Sequence, residues 1–136
     1  MENSKSIRWK QRYENFHGAF IQLNEAVCSF DKLSELEKEG FVQRFEYTFE
    51  LAWKTMKDFL ESNGESVKFP NDAIKLAFKA GIINNGEVWL EMLNQRNLMA
   101  QTYNEKIFND VLNSIVNLFF PEIEKFKVYL SNNLED

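Results

Sequence analysis

Trp9, Tyr13, Phe16, Phe20, Leu23, Val27 and Phe30 follow one another at spacings of 4, 3, 4, 3, 4 and 3 residues. That spacing places seven apolar side chains in a single stripe on a long helix, close to a heptad seam. A stripe of this kind predicts a helix lying almost antiparallel to a neighbour. A second start signal comes at Ser34, with Glu37 three residues on. The pair can satisfy each other's backbone N–H groups as a capping box. The helix it opens is predicted to run to about Ser62. Its apolar face carries Phe41, Phe45, Phe49, Ala52, Met56 and Phe59, and Asn63-Gly64 supplies the stop. Gly40 sits inside this pattern without a reason visible in the sequence.

Glu65 to Pro70 reads as irregular. A short helix is predicted from roughly Asp72 to Ala80, closed by Gly81, and Asn84-Asn85-Gly86 reads as a turn. A further helix is predicted from about Glu87 to Thr102. Asn104 can cap a last one, from Glu105 towards Leu130. Pro121 falls inside that last pattern and predicts a kink or a break, because proline removes one hydrogen bond and clashes with the preceding turn. The expected fold is therefore all-α: an up-and-down bundle of four longer helices plus one short helix, in a single domain spanning residues 1–136.

Composition supports the helical reading and removes several classes. Hydrophobic residues make up 44% of the 136-residue chain and aromatics 15%, enough apolar surface to exclude a disordered chain. Five Gly and two Pro are too few for the many turns of a β-sandwich. Sixteen basic against 21 acidic residues give a net charge of -5. A duplex-DNA binder is normally basic, so that class is disfavoured. One Cys (Cys28) and one His (His17) cannot make an intramolecular disulfide or a zinc site of soft ligands. The polar start and the lack of any run of about 18 apolar residues argue against a signal peptide or membrane span, so a cytoplasmic location is expected.

Polar residues that intrude on apolar faces carry the chemistry. Trp89, Met92, Leu93, Met99, Ala100 and Tyr103 share one face of the predicted fourth helix, and Arg96 projects from its middle. Asn97 lies on the flank. A guanidinium stays charged in a protein, so placing it there calls for an acidic partner or an anionic ligand. Glu46 and Glu50 lie one turn apart at the edge of the Phe face of the second helix. Like charges at that spacing repel mildly, which makes sense if a cation sits between them. Lys54 or Arg96 could be that cation. A buried ion pair that only fixes helix register would look the same.

Other intrusions have plainer readings. Tyr47 and Leu51 fall outside the main apolar arc and are either a second contact surface, such as a dimer interface, or ordinary exposed apolar residues. His17 reads as a partly buried residue at the margin of the first stripe. Glu35-Glu37-Glu39 and Glu122-Glu124 read as solvated faces. No Gly-rich phosphate loop, no Gly-Ser followed by Asp-x-Asp and no Ser/His/Asp set is present, so neither a cofactor nor a metal is called for.

The run from Gln43 through Arg44-Phe45-Glu46-Tyr47-Thr48-Phe49-Glu50-Leu51-Ala52-Trp53 to Lys54 resembles the signature of the nucleotidyltransferase substrate-binding protein family. The segment from Trp89 through Asn94-Gln95-Arg96-Asn97 to Tyr103 resembles its second signature, and Phe69-Pro70 and Ala77 to Ile83 fit the connection. The resemblance implies a small helical subunit related to HEPN domains, usually a homodimer. Such a subunit partners a separate minimal nucleotidyltransferase, which supplies the metal ions and the transfer chemistry. It also implies a cleft for a nucleotide-like small molecule, lined here by Glu46, Glu50, Arg96, Asn97 and Tyr103, and Lys54 and Gln101 are further candidates for its substrate-binding lining.

Some pairs of this kind act as toxin and antitoxin. Their helical subunit is a metal-independent ribonuclease with an Arg-x4-His-x-Tyr motif, whose Tyr the partner can modify. Here Arg96 and Tyr103 match, but Gln101 stands where the His would be, and an amide cannot carry a proton as imidazole does. The expectation is thus a non-catalytic substrate-binding subunit. A ribonuclease and a plain helical dimerisation module are the alternatives.

Overall fold

The computed structural model describes residues 3–101 and 104–134, and every regular element among them is helical. Helix α1 spans Ser4–Cys28 and starts where the Asn3 carboxamide accepts the Ser6 N–H at 2.8 Å. The first stripe was expected to reach Phe30, but α1 ends at Cys28 and Phe30–Lys32 forms a separate 3-10 turn. Helix α2 spans Glu35–Ser62. The Ser34–Glu37 capping box is present, with bonds of 2.8 and 3.1 Å. Beyond it, Gly64 takes φ +95°, and Glu65 N–H reaches back to the Leu60 carbonyl, closing a Schellman motif.

Helix α3 spans Pro70–Lys79, two residues earlier than expected. Proline at the first helical position loses nothing, since its N–H would be unpaired there, and so Pro70 begins the helix instead of ending the loop. Gly81, at φ +78°, closes α3 in the same way as Gly64 closes α2. Helix α4 spans Gly86–Gln101. A β-carbon on Gly86 would stand 3.1 Å from the Phe78 ring, so glycine lets α3 and α4 approach closely there.

The last rod is continuous through its proline. Helix α5 spans Glu105–Ser114 and α6 spans Phe120–Ser131, joined by a π-helical turn over Ile115–Phe119. Phe120 N–H bonds the Ile115 carbonyl, five residues back. Pro121 therefore sits in the first turn of α6, where the ladder is already reset, and produces a π turn instead of a break. The widened turn also shifts the helical phase of the residues beyond it. Glu122, expected on a solvated face, is buried and accepts from Lys125 at 3.0 Å.

Aromatic contacts define how the rods lie. Trp9 meets Phe59 at one end of α1, and Phe30 meets Phe41 just past the other, so α1 and α2 run antiparallel. Phe16 meets Phe126 and Phe20 stacks on Phe120 at 5.1 Å, so α1 also opposes α6. Phe45 stacks on Phe119, while Trp89 of α4 contacts both Phe49 and Phe126. One continuous core results, and all six apolar residues expected on the α2 face lie in it. Of the two outlying residues on α2, Tyr47 is 62% exposed, whereas Leu51 packs against the core margin.

Candidate functional site

The site is built where α4 crosses α2. Phe49 and Trp89 fix the crossing from inside the core, with ring centroids 6.2 Å apart. Two turns beyond Trp89, α4 brings Arg96 over the Phe49 ring, its guanidinium carbon 5.7 Å from the centroid. The adjacent residue on α2 is Glu50, and Arg96 Nη1 donates to Glu50 Oε1. The other oxygen, Oε2, accepts from the indole Nε1–H of Trp53 at 2.9 Å. Glu50 is thus held by a donor on each oxygen, one from its own helix and one from α4. The Arg96 and Glu50 side chains are 25% and 31% exposed, so the pair sits at the partly exposed edge of the crossing and not in the sealed core.

Glu46 lies one turn before Glu50 and is half-buried. It makes no hydrogen bond or ion pair among the described residues. Burial pushes its carboxyl above the usual carboxylate range, and the charge of Arg96 pulls it part of the way back. Lys54 is half-buried on α2 and forms no ion pair with a described residue. Asn97 is exposed. Gln101 is the last helical residue of α4; its side chain and that of Ala100, like Tyr103 as a whole, lie outside the described residues.

Of the two cations considered for the acidic pair, Arg96 is the one that arrives. The donor from Trp53 is the part that reasoning about charges missed. Its signal was present: Glu50 and Trp53 are three residues apart and share a face. His17 stacks on Tyr13 and has no contact with this cluster among the described residues. A second mixed pair lies elsewhere, between α1 and α2, where Arg12 Nε donates to Asp58 at 2.9 Å. Asp58 is 2% exposed. The described residues hold no group of three His, Cys, Asp or Glu placed to bind a metal, and no helix among them is long and apolar enough to cross a membrane.

The two helices that form this cluster are the two that carry the signature runs. A family model described as "Nucleotidyltransferase substrate binding protein like" matches residues 11–132. The chain belongs to this family. A crystal structure of a Thermus thermophilus protein resembles this family member with a TM-score of 0.73 and 27% identity, covering 89% of this chain and 99% of that one. No curated relative matches. The family description points to a substrate-binding role beside a nucleotidyltransferase, and in the cluster of Glu46, Glu50, Trp53 and Arg96 a guanidinium lies over an aromatic ring and on a carboxylate at once.

Proposed function

We propose that the chain is a non-catalytic substrate-binding subunit that partners a separate minimal nucleotidyltransferase chain in the cytoplasm and presents a nucleotide-like substrate to it. Its architecture in this reading is an up-and-down bundle of four longer helices plus one short helix, assembled as a homodimer. The partner supplies metal ions and performs the transfer; this chain supplies position. The observation that carries the reading is the Arg96–Glu50–Trp53 chain of hydrogen bonds at the partly exposed crossing of α2 and α4, within the stretch that matches the family.

Holding a guanidinium from behind through a carboxylate that is itself fixed is how proteins orient a recognition group. Glu46, Lys54, Asn97, Gln101 and Tyr103 complete the proposed lining.

The test is recovery of the tagged chain from its native cells, with identification of what co-purifies. A small nucleotidyltransferase is expected with the wild type. Arg96→Ala is expected to keep its helical circular dichroism and lose substrate binding by the recovered pair. Absence of any nucleotidyltransferase overturns the reading, as does unchanged substrate binding in the variant.

A further inference from the structure

A recess of about 360 Å³ lies between α3 and the start of α4 and shares no lining residue with the Arg96 cluster. That volume falls in the range of small-molecule sites. Ile74, Phe78 and Leu90 supply its apolar lining. Phe78 is 55% exposed, yet its ring lies against Gly86, where a β-carbon would stand 3.1 Å from it. The ring is thus backed by the α4 backbone while more than half of the residue stays bare. Two carboxamides join the same lining. Asn85 Oδ1 caps α4 by accepting the Val88 N–H at 3.3 Å, and its own amide N–H groups have no acceptor among the described residues. Asn84 makes no side-chain hydrogen bond among them.

The charges around the recess nearly cancel. Lys75 and Glu87 line it, and neither forms an ion pair with a described residue. Asp72 and Lys79 on α3 and Glu91 on α4 lie within one turn of the lining, giving two lysines against three acids. Glu122 and Lys125, which share a smaller recess with Asn84, are paired with each other.

We infer that this recess takes the base of a nucleotide-like ligand, stacked on the bare face of Phe78 with its edge on Asn84 and Asn85. The inference goes beyond the proposed function, which is read from Arg96, and rests on it only for the nucleotide-like character of the ligand. A base brings a flat apolar face for the ring, and donors and acceptors at its rim for the carboxamides. Asn84 can donate and accept, and Asn85 can donate. An aliphatic or phenyl side chain from a partner would cover Ile74 and Leu90 equally well, but it would strip water from both carboxamides and return no hydrogen bond. A phosphate finds no surplus of positive charge here, so the charged end of such a ligand stays outside the recess.

The full-length labelled chain is titrated with adenosine, ribose and N-acetylphenylalaninamide. Amide-correlation NMR is read at the backbone of residues 74–90 and at the Asn84 and Asn85 carboxamides. Adenosine is expected to shift these signals with an affinity of about millimolar, and ribose to leave them in place. N-acetylphenylalaninamide should bind several-fold more weakly and leave the carboxamides unmoved. Phe78→Leu keeps apolar bulk and loses the flat ring; it should weaken adenosine about fivefold or more, and Phe78→Tyr should restore it. Asn84→Ala, at an exposed position between the helices, gives an independent handle and should weaken adenosine about threefold.

Adenosine shifts absent from the recess overturn the inference, as does unchanged affinity in Phe78→Leu or in Asn84→Ala. Equal or tighter binding of N-acetylphenylalaninamide makes the recess a seat for a partner's side chain and overturns it too. Arg96→Ala should leave the adenosine shifts at the recess unchanged. If they vanish there, the base is held at the crossing of α2 and α4, and the proposed function stands without this inference. Failure to recover a nucleotidyltransferase from native cells is read in a separate experiment and leaves the base site to be decided by its own titration.

Discussion

Trp53 Nε1 lies 2.9 Å from the Glu50 oxygen that Arg96 leaves free, so an indole on α2 fixes the carboxylate that fixes a guanidinium on α4. Trp53→Phe removes that donor and keeps most of the ring. A hydrogen bond to a charged group contributes about 1.5–3 kcal/mol when well buried. Glu50 is nearly a third exposed, so about 1 kcal/mol of lost stability is expected here. Urea denaturation checks this. The same substitution should also loosen Arg96, so any measured ligand affinity should fall with it. A loss of stability without a loss of affinity would make the indole a packing residue only.

The Arg12–Asp58 pair predicts a larger effect. Asp58 is almost fully enclosed between α1 and α2, and Arg12 is its cation. Arg12→Ala leaves a buried carboxylate without its partner, at an expected cost of about 2–3 kcal/mol; the part-exposure of Arg12 keeps it below the value for a fully buried pair. Replacing both, as Arg12→Met with Asp58→Leu, should recover most of that loss, because no charge remains to be desolvated. Denaturant midpoints of the two variants separate these outcomes. Equal losses in both would mean that the pair is worth more than its desolvation cost.

Glu46 gives stability a pH dependence of definite sign. Burial raises its carboxyl in the folded state, so the native protein holds that proton more tightly than the unfolded chain does. Its favourable contribution is complete below the unfolded value and is lost as pH rises through the raised folded value. Between about pH 4 and pH 7, wild type should therefore lose stability relative to Glu46→Gln, whose side chain does not ionise. Paired urea titrations across that interval test it. A gain for wild type over the same interval would show that the Arg96 charge outweighs burial.

Periodicity made most of the fold legible, because six aromatic or aliphatic residues at helical spacing in α1 and six in α2 admit few other arrangements. Caps were legible for the same local reason: Ser34 with Glu37, and glycine after Asn63 and Ala80, act within a few residues. What was not legible depended on distant partners. Pro121 announced a disturbance, but whether it became a break or a π turn rested on the packing of Phe119 and Phe120 against Phe45 and Phe20. That turn then changed which side Glu122 faces. Likewise a wheel can place Glu46, Glu50 and Lys54 on one face, but only the crossing of α4 over α2 decides which acid receives Arg96 and which is left open.

Gly40 is the residue for which the sequence offered no reason, and the structure gives no intramolecular one. It lies exposed in α2, its φ is negative, and a β-carbon there would meet nothing within 4 Å. Glycine inside a helix costs about 0.5–1 kcal/mol relative to alanine. Gly40→Ala should therefore raise the melting temperature by about 2–5 °C. The residue also borders a surface recess of about 450 Å³ with Gln22, Arg44 and the exposed Tyr47. A bare stretch of helix beside an exposed tyrosine would let a second chain approach closely, and a methyl group there would hinder it. Sedimentation of the variant alongside its melting curve distinguishes the two situations. A higher melting temperature at unchanged sedimentation is the expected result. A lower one, accompanied by a shift to smaller species, would mean that Gly40 seats a second copy of the chain and that the helix penalty is offset in the assembly.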